Sequence, residues 1–131
     1  MFSLQPYEFE KLTGQLFTKL GFDATVTKQV ADGGVDVEAI HKDVIFRGRY
    51  LIQCKRYNSS HKVTMPEIQA FHGRLAREPR ARGIFITTSS FTRGARKEAA
   101  LTGINLIDGR ELESLIAQHG LLRPSGAATK T

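Results

Sequence analysis

Asp36, Gln53 and Lys55 are the residues whose types and spacing suit joint chemistry. Asp36 sits in an alternating stretch in which Val35, Val37 and Ala39 point one way and Asp36 and Glu38 the other. Gln53, Lys55 and Tyr57 share one face of a second such stretch, with Cys54 on the opposite face. If these strands pair through the turn near Gly48, Asp36, Gln53 and Lys55 meet on one face of a sheet. That grouping suits metal-assisted hydrolysis of a phosphodiester. Mg²⁺ takes a few oxygen ligands and keeps several waters. Asp36 supplies charge, and the Gln53 side-chain oxygen or the Cys54 carbonyl supplies a neutral ligand. Lys55 would orient or help deprotonate the attacking water and balance charge growing on the phosphate. Taken singly, each residue also has a plain structural reading, since an Asp after Gly-Gly ends turns and a strand lysine usually points at water.

Glu10 adds a carboxylate from a separate segment. On a helical wheel it lies on the shoulder of an apolar stripe, close to the direction of Phe17, with Gly14 leaving space one turn later. A carboxylate there needs a partner or a cation, because burying it alone is costly. A border residue paired with an arginine is the competing reading. A second constellation is hydroxyl-rich: Thr87, Thr88, Ser89, Ser90 and Thr92, followed by Arg93 and Arg96. Hydroxyls and backbone N–H groups at a helix start bind phosphate, and arginines add charge, so this turn is expected to touch a DNA backbone as well as cap its helix. His41, His61, His72 and His119 have no zinc-ligand spacing. Cys54 reads as a small buried residue rather than a nucleophile.

The elements that must position these residues follow from periodicity. Phe9, Leu12, Leu16 and Leu20 recur at helical spacing between Pro6 and Gly21. Phe22 to Val30 alternates as a strand, Ala31-Asp32-Gly33-Gly34 reads as a turn, and the strands around Asp36 and Gln53 complete an antiparallel meander. Thr64 with Glu67, and Asp108 with Glu111, make two capping boxes. The first opens a helix through Ile68, Phe71 and Leu75, and the second one through Leu112, Leu115 and Ile116. Between them lie a strand at 83–88, a helix through Ala95 and Ala99, and a short strand at 104–107. The order is αβββαβαβα, an α/β sheet layered by helices. One domain over 1–122 and a frayed tail over 123–131 are expected.

Composition narrows the partners. The 131 residues carry a formal net charge of +6, but residues 42–97 alone hold thirteen bases against three acids. Such a concentrated field suits a polyanion, nucleic acid being the common one. Arginine outnumbers lysine there, and its planar fork suits phosphate. The apolar runs are too short for a membrane span or a signal-peptide core, and a single cysteine excludes an internal disulfide. These features point to a soluble, intracellular domain without a membrane partner.

Asp32-Gly33-Gly34-Val35-Asp36-Val37, followed by Gln53-Cys54-Lys55-Arg56-Tyr57, closely resembles the Mrr-like restriction endonuclease catalytic domain of the PD-(D/E)xK nuclease superfamily. Phe9-Glu10, the stretch Ile84 to Thr92, and Leu106-Ile107-Asp108-Gly109 resemble further blocks of that family in the same order, so that roughly 6–122 is covered. The resemblance implies a restriction-endonuclease-like three-layer αβα core with a mixed central sheet of about five strands. It implies a Mg²⁺-dependent endodeoxyribonuclease (Mn²⁺ substituting) that restricts foreign or modified DNA in a prokaryotic-type cytoplasm. Asp36, Glu10, Gln53 and the Cys54 carbonyl would hold the metal, and Lys55 would complete the catalytic set. Gln53 stands where the wider superfamily has Asp or Glu, which removes one negative charge. Arg56, Thr88, Ser89, Ser90, Thr92, Arg93 and Arg96 would contact double-stranded DNA. A homodimer, and a separate DNA-recognition domain or subunit, are expected as further partners. A Holliday-junction-type resolvase and a non-catalytic DNA-binding module on the same fold are the alternatives.

Overall fold

The computed structural model of the chain describes residues 6–27, 35–41, 48–78 and 80–121. The first helix, α1 (Pro6–Lys19), buries Phe9, Leu12, Leu16 and Phe17. It stops before Gly21, whose φ of 97° suits a residue without a Cβ. Strand β1 (Phe22–Val26) pairs antiparallel with β2 (Val37–His41), and β2 pairs antiparallel with β3 (Arg49–Lys55). From β3 the chain crosses through α2 (Met65–Leu75) to β4 (Ala81–Thr87), then through α3 (Arg93–Thr102) to β5 (Asn105–Ile107), and ends in α4 (Gly109–Gln118). The β3–β4 and β4–β5 pairings are parallel, so the five-stranded sheet is mixed, in sequential order.

Sequential order explains the layering. Two successive crossovers of the same hand put α2 and α3 on one face of the sheet. Ile68, Phe71, Ala95 and Ala99 pack there with Leu51 and Phe85. The other face is covered by α1 and α4, whose Phe9, Leu12, Leu16, Leu112 and Ile116 pack on Val37, Ile52, Ile84 and Ile86. This is the three-layer αβα core, and the antiparallel meander is its first half. Both capping boxes form: Thr64 N–H donates to Glu67 Oε1 at 2.9 Å, while Asp108 and Glu111 exchange two bonds of 2.9 Å.

One alternation starts later than its sequence suggests. Val37 and Ala39 face the α1/α4 core as expected, but Val35 packs in the α2/α3 core. The ladder with β3 begins only at Val37, so strand parity does not bind the residue two places earlier. The Ala31 to Gly34 turn, Val30, Arg47 and the 123–131 tail lie outside the described residues.

The topology has an electrostatic consequence. β1, β3, β4 and β5 run one way, so α2, α3 and α4 each begin at the carboxyl ends of the strands that precede them. α1 ends beside the start of β1 and therefore begins at this same end of the sheet. Four helix N-termini, each a partial positive charge, gather where β2 starts and β3 ends. In open α/β sheets this end is where ligands bind.

Candidate active site

Asp36 precedes β2 at this end. Its N–H donates to Ile52 O at 2.9 Å, and Ile52 is the residue that Val37 already faces, so Asp36 and Val37 share one partner and the regular β2–β3 register stops short of Gln53. Its Oδ2 accepts from Cys54 N–H at 2.8 Å. Along an extended strand, N–H and C=O of one residue point to the same side. The Cys54 carbonyl is therefore turned toward the Asp36 side of β3 as well, and the two oxygen donors expected from the sequence share one edge of the strand. Thr27 holds the other side of this segment, its N–H bonding Asp36 O at 2.9 Å and its hydroxyl bonding Val35 O at 2.8 Å.

Gln53 and Lys55 project toward α2, with Cys54 on the opposite face, as the alternation requires. With Glu67, Ala70, Arg74 and Arg77 they line a hollow of about 540 Å³. Glu67 is the residue that sequence reasoning left as a cap alone. Its second oxygen, Oε2, accepts from the Tyr57 hydroxyl. Partial burial pushes the Glu67 carboxyl upward, but the hydrogen bonds from Tyr57 and Thr64 and the charge of Lys55 outweigh it and hold it below the usual carboxylate range. Tyr57 is pushed up to about 12 by burial and by its bond to Glu67. The signal available in the sequence was the shared parity of Lys55 and Tyr57; nothing in the spacing gave Glu67 as their common neighbour.

Glu10 approaches from the α1 layer and is buried, 8% exposed. Burial raises the Cys54 thiol pKa, and the charges of Asp36 and Glu10 raise it further against the bond with Thr13. Both carboxylates are thus near Cys54, which fits a metal-ligand set and makes the thiol a poor nucleophile. The donors on offer are two carboxylates, an amide oxygen and a carbonyl, all hard oxygens of the kind Mg²⁺ takes. Among the described residues no group of three or more His, Cys, Asp or Glu is placed to hold a metal. A larger hollow, about 800 Å³ along α1 and β1, shares no lining residue with the site.

The hydroxyl-rich turn is split between two jobs. Thr87 Oγ1 donates to Lys55 O at 2.8 Å, and Thr88 Oγ1 donates to Tyr57 O at 2.7 Å and accepts from Tyr57 N–H at 3.0 Å. Thr87 and Thr88 thus secure the end of β3, and Thr88 at 2% exposed and Ser89 at 8% face inward rather than lie on a surface cradle, Ser89 O accepting from Gly109 N–H at 2.8 Å. Ser90 O accepts from Val63 N–H at 2.9 Å, and Thr92 caps α3 through Ala95 N–H at 3.1 Å. Arg56, Arg93 and Arg96 are exposed, Arg96 resting over Phe91 and 3.3 Å from Asp108. Among the described residues no helix is long and apolar enough to cross a membrane.

Comparison with known proteins gives the fold and the family of the chain. The restriction endonuclease family model of the Mrr catalytic type matches residues 2–116. The chain is 34% identical over 125 residues to the type IV methyl-directed restriction enzyme EcoKMrr of Escherichia coli (strain K12), covering 91% of this chain and 40% of that enzyme. Among solved structures, a protein of unknown function, AF1548, superposes with a TM-score of 0.75 at 22% identity, over 88% of this chain and 67% of that one. The DNA modification-dependent restriction endonuclease AspBHI superposes with a TM-score of 0.73 at 22% identity, over 92% of this chain and 33% of that one. At these identities the structures speak for the fold alone, whereas the family match spans most of the sequence. The chain belongs to the Mrr-type restriction endonuclease family.

Proposed function

We propose that this chain is a divalent-metal-dependent nuclease domain that hydrolyses phosphodiester bonds of double-stranded DNA within a system directed at modified DNA. The observation that carries the reading is the 2.8 Å bond from Cys54 N–H to Asp36 Oδ2, which joins the acidic residue to the strand bearing Gln53 and Lys55. Asp36, Glu10, Gln53 and the Cys54 carbonyl would hold Mg²⁺ or Mn²⁺. When bound, the ion supplies Lewis-acid polarisation and makes water a better nucleophile. Lys55 places an ammonium beside the same strand end, where it orients water and offsets negative charge growing on the phosphate. Arg56, Arg93 and Arg96 offer exposed contacts to the DNA backbone, beside the half-buried Ser90 and Thr92.

The modified-DNA part of the reading rests on kinship, since the relative EcoKMrr is methyl-directed by name. The chain spans 40% of that enzyme's length, which favours a separate domain or subunit as the target reader. A homodimer able to cut both strands is part of the same proposal. The test is cleavage of supercoiled plasmid, methylated and unmethylated, in Mg²⁺, in Mn²⁺ and in EDTA, beside a four-way junction. Metal-dependent nicking or linearisation of plasmid that EDTA stops is the expected result. Preference for the junction would instead assign a resolvase, and DNA binding without cutting in either metal would leave a binding module.

A further inference from the structure

The capping box explains one oxygen of Glu67. Its Oε1 accepts from Thr64 N–H at 2.9 Å and from Thr64 Oγ1 at 3.2 Å, as the third residue of a helix does. Capping leaves the other oxygen unexplained. In an ordinary box it faces water, but here Oε2 accepts from the Tyr57 hydroxyl, so two elements grip one carboxylate. Tyr57 is itself clamped. Its backbone N–H and C=O are both bonded to Thr88 Oγ1, and its ring stacks on His61 at 3.9 Å with an interplanar angle of 3°. The anion so fixed lines the same hollow as Gln53 and Lys55.

We propose that Glu67 is a positioning residue for Lys55, a fixed counter-charge that sets where the lysine ammonium lies along the hollow. This rests on the role given to Lys55 above. Lysine carries its charge on a flexible four-carbon stem, so an unanchored ammonium must be gathered from many rotamers at each turnover. A carboxylate held by α2 on one side and by the β3 extension on the other removes that search before substrate arrives. Glu67 touches neither water nor phosphate in this scheme and acts through Lys55.

The test is steady-state cleavage of duplex DNA in Mg²⁺ by wild type, Glu67→Gln, Tyr57→Phe and Thr64→Ala, with melting temperatures and Mn²⁺ calorimetry on each. Glu67→Gln keeps an acceptor for Thr64 N–H and loses the charge. Its kcat should fall by about 10–100-fold, with KM for DNA and Mn²⁺ affinity within about twofold of wild type. Tyr57→Phe should shift kcat in the same direction by less. Thr64→Ala, which keeps the backbone donor, should lower the melting temperature and spare kcat. In a Lys55→Arg background, Glu67→Gln should cost much less than it does alone, because the two act as a unit. An unchanged kcat in Glu67→Gln overturns the proposal, as does a loss that appears in KM or that Thr64→Ala reproduces. If Glu67→Gln fails to fold, Tyr57→Phe decides by the same criteria. A wild-type chain that cuts nothing overturns the nuclease reading and this inference with it; a wild type that cuts while Glu67→Gln matches it overturns this inference alone.

Discussion

Asp36 and Cys54 are joined side chain to backbone: the Asp36 carboxylate accepts from Cys54 N–H at 2.8 Å, beyond the last rung of the β2–β3 ladder. The bond extends the pairing with a charged group where a backbone carbonyl would otherwise serve. It also orients the carboxylate relative to the residues on either side of Cys54.

Asp36→Asn separates these two roles. Asparagine retains an oxygen that can accept from Cys54 N–H, so melting should change little, while loss of the negative charge should abolish Mn²⁺ binding and cleavage. Lys55→Ala should leave Mn²⁺ affinity near wild type and cut kcat by about 10²–10³-fold, the scale for removing one stabiliser of transition-state charge. Calorimetry and plasmid cleavage on both variants check this; full cleavage by either would remove it from the catalytic set.

Much of this arrangement is legible in the sequence because it depends on local rules. The parity of Gln53, Lys55 and Tyr57 against Cys54 follows from strand geometry, and Thr64–Glu67 and Asp108–Glu111 are capping patterns four residues long. The rest depends on contacts far apart in sequence. Thr88 turns inward because the chain at Tyr57 needs partners for its backbone groups, and those groups lie 31 residues away. The second bond of Glu67 reaches Tyr57, ten residues back across a loop. Val35 leaves its expected face because pairing starts two residues later.

Arg93 and Arg96 should contribute unequally to DNA binding. Both are exposed near the start of α3, but Arg96 shares its charge with Asp108 at 3.3 Å. Log affinity should fall linearly with log salt, at ~0.9 per phosphate contact. Arg93→Ala should reduce that slope by about one contact, and Arg96→Ala by less. Mobility shifts across a salt series measure both slopes. Equal slopes in wild type and the double variant would take this turn out of the DNA interface.

Gly109→Ala should be costly for a reason of space rather than torsion. A Cβ there would lie 2.3 Å from Thr88 O and 2.8 Å from Thr88 C, and backbone cannot swing aside as a side-chain tip can. Overpacking of this kind costs about 1–3 kcal/mol. The displaced residue is the one whose hydroxyl holds Tyr57, so cleavage should fall along with the urea midpoint. A variant as stable as wild type would show that the Thr88–Gly109 contact is not tight.

The last expectation concerns acid. Arg74 and Arg49 bond the Glu78 carboxylate, Arg74 at 2.8 Å and Arg49 at 2.6 Å, and together they hold its pKa below the usual value. A carboxyl whose folded pKa is depressed binds its proton more readily in the unfolded chain. Its contribution to stability is therefore complete above the unfolded value, about 4.3 for glutamate, and is lost as pH falls from there through the folded value. Other carboxylates titrate in the same window, so the wild-type curve alone cannot assign the loss. The difference between wild type and Glu78→Gln can. Urea midpoints from pH 7 to pH 3 should show wild type ahead at neutral pH and the gap closing below about pH 4. Because the three side chains are only partly buried and stay in touch with solvent, the gap should also shrink in 1 M salt. A gap that stays constant with pH would mean that Glu78 acts through packing and that its charge adds nothing to the link between β3 and the end of α2.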